Sequence, residues 1–574
     1  MKIRLLSSFV LGAIVAAAPF SASAKTASPG QAVIPTPVPT PVTPAVPTVA
    51  PGYRAPDVRP TRADIVGVTQ QPFVGIALND AIAMALLKNP DLAVSASDVR
   101  VAKYEVQEAK GADNVNFFVE PSLKHATTAA TNAFFGGGPD FQPIVQNYQT
   151  LQAGVKGQLS SSGTQYNINV SQTTADDNTF IDAFNPYYLA SLNVSITQPL
   201  LKGLGMNDAK RQIQLSAVNA DATQASTLAS VSTTIANVED VYWDLVAAWR
   251  NVAIQEDALR QSVSQQQSNV RLAKHGAAAP IDAVESTTQV AIYQQDVFSA
   301  LQNVSELQNE LKSLIVTDPG DPIWRANLVP TSSVLQPPAT PSVDALLASA
   351  LQNRPEVRQA LDAQKQADVN LAYAKNQKLP QADLQLQYNG NGFAGNALPA
   401  LDFLGTLFPL PPANQTGGLG KAYGNIGRFP TYSAGIQFST PLGNDTAKGA
   451  YGVAKEQEHE AQVEKLGTAE RIQYEVRNAI QTYQAAKARL FAARQGRDAA
   501  AQVLASEILK FRNGESTTFL VDQRQVEYVQ QEGLELQAQT DLNKAVVELQ
   551  RVDGSILSQN GVSLGTLGQG ALTP

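Results

Sequence analysis

The chain has 574 residues, 16% of them charged, a formal net charge of -8, three histidines and no cysteine. The acidic balance argues against nucleic acid as a partner, and the lack of cysteine excludes disulfides and thiolate-held metals. Neither excludes a membrane, because the outside of a β-barrel is apolar without being basic.

Residues 1–24 read as an export signal. Lys2 and Arg4 form the charged start, Phe9 to Phe20 the apolar stretch, and Ala22-Ser23-Ala24 the cleavage site. The apolar run is too short for a spanning helix. Residues 25–72 are proline-rich, as in Pro35-Thr36-Pro37-Val38-Pro39, and read as an extended, disordered linker.

Order is expected from Phe73. A short helix from Leu78 to Lys88 stops before Asn89-Pro90, because the residue before proline avoids helical geometry. A second helix runs from Asp91 to about Lys110. The period then changes to two. Phe117, Val119 and Leu123 share one face, as do Leu151, Ala153 and Val155, then Tyr166, Ile168 and Val170, then Leu192, Val194 and Ile196. Ser, Thr, Gln and Asn lie between them, so the strands (about 117–198) have one apolar and one polar side. A membrane barrel and a soluble sandwich both give this alternation.

Two rods follow. In the first, from about Asn207 to His275, Val231, Ile235, Val238, Tyr242, Leu245, Trp249 and Val252 alternate steps of four and three. That seam continues through Leu259, Val263 and Val270, the pattern of a helix packed lengthwise on others. The rod is about 100 Å long at 1.5 Å per residue. The chain turns at His275-Gly276-Ala277-Ala278-Ala279-Pro280 and returns from Ile281 to Val316. A connector spans 317–341.

Residues 342–557 repeat 73–316. Pro355 answers Pro90 at an offset of 265, and Gly514 answers Gly276 at an offset of 238. The second repeat has strands over about 382–440, with a long loop from Asn389 to Arg428, and a helical hairpin over about 446–554. Residues 558–574 read as a disordered tail. Each repeat is helix–strands–rod–tip–rod, mostly α with a β portion. The strands available, four to six per chain, cannot close a barrel alone, and open edges are forbidden in lipid. A membrane barrel would therefore need several chains, and three give about 12 or 18 strands.

The order of these segments resembles the TolC-type outer membrane efflux family over about Phe73 to Leu557. Asn89-Pro90-Asp91-Leu92, Asn353-Arg354-Pro355-Glu356-Val357, the exits Gln198-Pro199-Leu200-Leu201 and Thr440-Pro441-Leu442, and Phe511 to Val521 carry the likeness. The resemblance implies a homotrimer with a transmembrane β-barrel in the cell outer membrane, among its lipid, and an α-barrel tunnel across the periplasm. It implies an exit duct for a tripartite efflux pump or type I secretion system, with a periplasmic adaptor (membrane fusion) protein and an inner-membrane transporter as partners. It also implies adaptor docking at the tips, around Gly276, Ala277, Gly514 and Glu515, and aperture carboxylates at Asp522, with Asp282 and Glu285 as first-tip candidates. The family's tyrosine–arginine latch is not reproduced, since Phe511 and Ser516 stand near the matching positions.

No catalytic, cofactor or metal constellation is expected. His125, His275 and His459 lack ligand spacing, and Gly136-Gly137-Gly138 lacks the rest of a phosphate loop. The alternative is a secreted trimeric coiled-coil stalk or adhesin with a β head.

Overall fold

The computed structural model describes residues 72–130, 142–179, 182–276, 279–332, 342–398 and 412–562. The expected export signal and nearly all of the proline-rich linker lie outside them, as do Ala277 and most of the tail.

Two long helical hairpins dominate. Helix α3 (Asp208–Lys274) starts where Asn207 Oδ1 accepts the Lys210 amide, and α4 (Pro280–Ile315) starts with proline at its first position. The second hairpin is α8 (Asp445–Arg512) with α9 (Thr518–Val552). The seam read from α3 is buried from Val231 to Val252. Below that it shifts by one position. Leu259, Val263 and Val270 are half-buried, and Ala258, Ser262 and Asn269 hold the most buried places. A straight helix drifts about 20° per heptad, so several heptads move the contact line by one residue.

The short helices α1 (Leu78–Lys88) and α2 (Pro90–Lys110) meet at Asn89, whose Oδ1 accepts the Asp91 and Leu92 amides while its Nδ2 donates to Leu314 O. Helices α5 (Val343–Asn353) and α6 (Pro355–Gln377) repeat the arrangement. There the junction residue is Arg354, which is buried and bridges Glu356 and Glu475 at 3.0 and 2.5 Å.

The connector is more ordered than its sequence implies. Strand β1 (Phe73–Ile76) pairs in parallel with β6 (Asn327–Pro330). Tyr242 Oη donates to Ile76 O and accepts the Ser332 amide, and Trp249 Nε1 donates to Leu328 O. The two largest aromatics of the seam thus pin both strands midway along α3. The start of the expected tail is also structured. Helix α10 (Ile556–Gln559) buries Ile556 and Leu557 in the same core, and Asn560 hydrogen-bonds Glu239.

The remaining strands are β2 (Asn116–Thr128), β3 (Ile144–Leu159), β4 (Thr164–Asp177), β5 (Phe184–Pro199), β7 (Gln381–Ala397) and β8 (Phe429–Ser439). They form one antiparallel sheet in the order β2-β3-β4-β5-β7-β8. Repeat one contributes four strands and repeat two contributes two. Strand β7 runs further than expected, and the long loop after it contains a short helix, α7 (Leu419–Gly424). This helix lies against Ala190 and Ala394, and a Cβ on Gly392 would meet Ala422 O at 2.2 Å. Small residues there let backbone approach backbone, a signal the loop composition does not carry.

Candidate functional site

The register puts like with like across all six strands. Phe117, Val155, Ile168, Val194, Tyr388 and Tyr432 occupy one continuous line. One residue along each strand, Asn116, Lys156, Asn167, Ser195, Gln387 and Ser433 occupy the next, on the other side. The alternation read strand by strand is therefore coherent over the whole sheet. Polar side chains satisfy one another across strands: Asn193 Nδ2 donates to Asn169 Oδ1 at 2.8 Å, and Ser191 Oγ donates to Asn391 Oδ1 at 2.8 Å.

Clefts open along the polar side. One is lined by Asn116, Lys156, Asn167 and Ser195. A second, sharing Gln165 and Thr197 with it, reaches Asn207 and Asp383 at the head of α3. A third shares Ala112 with the second and lies among α2, α3 and α6, lined by Glu105, Gln212, Asn219 and Asn370. The clefts adjoin one another, so the sheet's polar side leads toward a polar groove between helices. This wall is a candidate lining for a water-filled passage, built of amides and hydroxyls together with charges of both signs, Glu105, Lys156 and Asp383 among them.

Both helical tips end in left-handed glycines, Gly276 at φ 73° and Gly514 at φ 79°. An L side chain would be strained there, which is why glycine closes each rod. At the second tip the Glu515 amide donates to Lys510 O at 2.8 Å and the Gly514 amide to Phe511 O at 3.1 Å. Ser516 Oγ donates to the Glu507 carboxylate at 2.5 Å, which holds that carboxyl below its ordinary value. Ser516, at a position the latch comparison singled out, thus braces its own tip. Gly276, Gly514 and Glu515 are exposed.

The structure brings two of the three carboxylate candidates together. Asp522 on α9 is partly buried, and burial, helped by the charge of Glu285 on α4, pushes its carboxyl up to about 6. Asp282 sits instead in the first turn of α4, where a negative charge suits the helix N-terminus. Sequence reading missed the polar layer beside them. Ser262, Asn269, Ser286 and Gln525 are buried where the upper shaft has valine and leucine. It also missed Glu535, which sits 3.3 Å from Arg494 and 3.4 Å from Arg497. The signal was present, since at the repeat offset of 238 these arginines stand where the first rod has Glu256 and Leu259.

Among the described residues, no group of three or more His, Asp or Glu could hold a metal ion, and no helix is long and apolar enough to cross a membrane. No known sequence family and no curated protein matches the chain. Solved structures do. The Campylobacter jejuni CmeC outer membrane channel is 14% identical, covering 85% of this chain and 90% of its own, with a TM-score of 0.59. The Vibrio cholerae outer membrane protein VceC is 14% identical over 83% and 96%, with a TM-score of 0.58. The open state of the Neisseria gonorrhoeae MtrE outer membrane channel is 15% identical over 83% and 88%, with a TM-score of 0.55. The chain has the fold of these channels, the TolC-type outer membrane factor fold.

Proposed function

We propose that this chain, built on the outer membrane factor fold, is an outer-membrane exit duct: a passive conduit from periplasm to exterior for a tripartite efflux pump or type I secretion system. The observation that carries the reading is the two-sided sheet. Its apolar side suits lipid, its polar side suits water, and the polar side continues into the groove between helices. Such continuity is what a passage needs and what a stalk does not.

In this reading the sheet lies in the outer membrane and the hairpins cross the periplasm. One open six-stranded sheet leaves unpaired backbone that lipid cannot satisfy, so several copies must share the barrel, and the family resemblance makes the assembly a homotrimer. The exposed tips around Gly276, Gly514 and Glu515 meet a periplasmic adaptor, and an inner-membrane transporter supplies the energy. Asp522, backed by Glu285, lines the narrow end, with Asp282 nearby in sequence. The chain itself performs no chemistry.

Outer-membrane fractions run on gels with and without heating, followed by planar-bilayer recording, test this. The expected result is a heat-sensitive trimer that conducts ions. A stable oligomer without conductance would instead favour a stalk or adhesin.

A further inference from the structure

Helix α7 lies on the apolar side of the sheet. Ala422 packs on Ala190 and Ala394, and Tyr423 Oη donates to Gln172 Oε1 at 2.6 Å. These three sheet residues share their side with Val170, Leu192 and Tyr388. The segment around the helix is fastened to β7, whose pairing with β8 ends at Asn391. Beyond that point Asn425 Nδ2 donates to Phe393 O at 2.9 Å, and the Gly395 amide donates to Gln415 O at 2.9 Å. On the duct reading, on which this inference rests, α7 is therefore fixed to the outside of the wall.

Its height follows from the apolar residues beside it. Going away from the rods, the apolar run on this side ends at Leu123, Leu151, Val170, Leu192, Tyr388 and Tyr432 on successive strands. Tyr432 lies on the pairing line of Phe117, six residues short of Leu123, so the edge falls six residues over five strand steps. That is about 20 Å along the strands against about 24 Å across them, a slope of about 40°. Strands of a membrane barrel tilt by that much, so the slanted edge is a level line, the outer limit of the lipid tails. Gln172, Ala190 and Gly392 share one pairing line, one or two same-side positions beyond this edge. Helix α7 thus stands at the depth of the outer leaflet's headgroups.

We propose that α7 and the turn after it form a seat for an anionic, phosphate-bearing lipid headgroup of the outer leaflet, held by Lys421 and Arg428. Both are exposed, and neither has an ion-pair partner among the described residues. Residues 412–438 contain no Asp or Glu, so the seat is positive without compensation. Buried Asn425 ties the two together: its amide donates to Lys421 O at 3.0 Å, and its carbonyl accepts the Arg428 amide at 2.9 Å. An ammonium and a guanidinium are the usual partners of phosphate oxygens. Tyr423 is exposed beside them, with its hydroxyl bonded, as suits a ring at a membrane interface. Val170 and Leu192, directly beneath, give a lipid's tails an apolar surface that a free phosphate would not need.

The chain lacks cysteine, so single thiols can report depth. Gly424→Cys fits on α7, because a Cβ there meets nothing within 4 Å, and Val194→Cys marks the centre of the apolar run on β5. Each is labelled with a fluorophore and reconstituted in phosphatidylcholine–phosphatidylglycerol vesicles carrying a nitroxide on the headgroup or at mid-chain. The expected result is headgroup quenching at position 424 and mid-chain quenching at position 194. Binding is read by native mass spectrometry with phosphatidic acid or phosphatidylcholine of the same chains. Lys421→Gln and Arg428→Gln should each weaken phosphatidic acid binding about 5-fold and leave phosphatidylcholine binding unchanged. Unaltered binding in the double variant, equal loss for both lipids, or displacement of phosphatidic acid by equimolar inorganic phosphate overturns the headgroup seat. So does a probe at position 424 that only an aqueous quencher reaches while the one at 194 meets the mid-chain nitroxide. If the probe at 194 escapes that nitroxide, the sheet is not in lipid and the duct reading falls too.

Discussion

At the residue scale, one buried and one half-buried carboxylate make opposite demands on pH from those of ordinary surface acids. Glu239 is almost fully buried, and burial, opposed by the Asn560 hydrogen bond and reinforced by Asp240, pushes it up to about 7. The folded chain therefore holds a proton that the unfolded chain releases above 4.5, so Glu239 weakens folding progressively between pH 4.5 and 7. Glu239→Gln should stabilise the protein at pH 8 by up to about 3 kcal/mol and change little at pH 4, as read by denaturant melts at both values. Asp522 follows the same sign nearer the tips. Raised to about 6 by burial and Glu285, it opposes the packed arrangement above that pH and not below about 4. Asp522→Asn should lower open probability at pH 7 by about 3- to 10-fold, a modest effect because the carboxyl is part-solvated, and the difference should vanish near pH 4 in bilayer recordings. Both positions were visible as acids in the sequence, but their burial was not. Asp522 was singled out by its place after a tip, whereas Glu239 lies one step from the seam residue Val238, where the seam alone gives no sign of burial.

At the element scale, the two Pro junctions show how one sequence signal can be met by different physics. Asn89-Pro90 and Arg354-Pro355 both end a short helix and start a longer one, and both were legible from proline alone. Asn89 closes its junction with three neutral hydrogen bonds, whereas Arg354 closes its own by bridging Glu356 and Glu475, the latter 121 positions away from it. Arg354→Ala should cost on the order of 3 kcal/mol because it leaves two carboxylates facing each other at a poorly solvated site. Adding Glu475→Gln should recover part of that loss, which a double-mutant cycle on thermal melts will measure. The β1–β6 pair, like the short helices α7 and α10, was missed by sequence reading. Each strand is four residues, too short to show a period, and their parallel pairing joins positions 254 apart. Only the side chains of Tyr242 and Trp249, which bring them together, could have hinted at partners, and a buried aromatic on a seam reads first as packing.

At the scale of the whole molecule, the strand count sets the width of the mouth. Barrel diameter grows roughly linearly with strand number, so an eighteen-stranded ring should be about half again as wide as a twelve-stranded one. If three copies close the ring, end-on electron-microscopy projections should show which of the two widths it has. Deleting residues 144–179, which removes the β3–β4 hairpin, should leave β2 beside β5 and shrink the ring toward twelve strands. If the hairpin lay outside the barrel wall instead, the projected diameter would not change.

The sequence by itself determined the periods, the breaks and the repeat: where rods start and stop, which strand residues share a side, and that the chain contains the same plan twice. These are local, because helix and strand geometry impose spacings of 3.6 and 2 on any buried face. Tertiary structure decided what lies next to what. It put all six strands in one register, joined β5 to β7 rather than leaving each repeat's strands apart, and drew Asp522 toward Glu285 but not Asp282. Adjacency between distant segments depends on packing and on backbone hydrogen bonds that the spacing of residues along one segment does not encode.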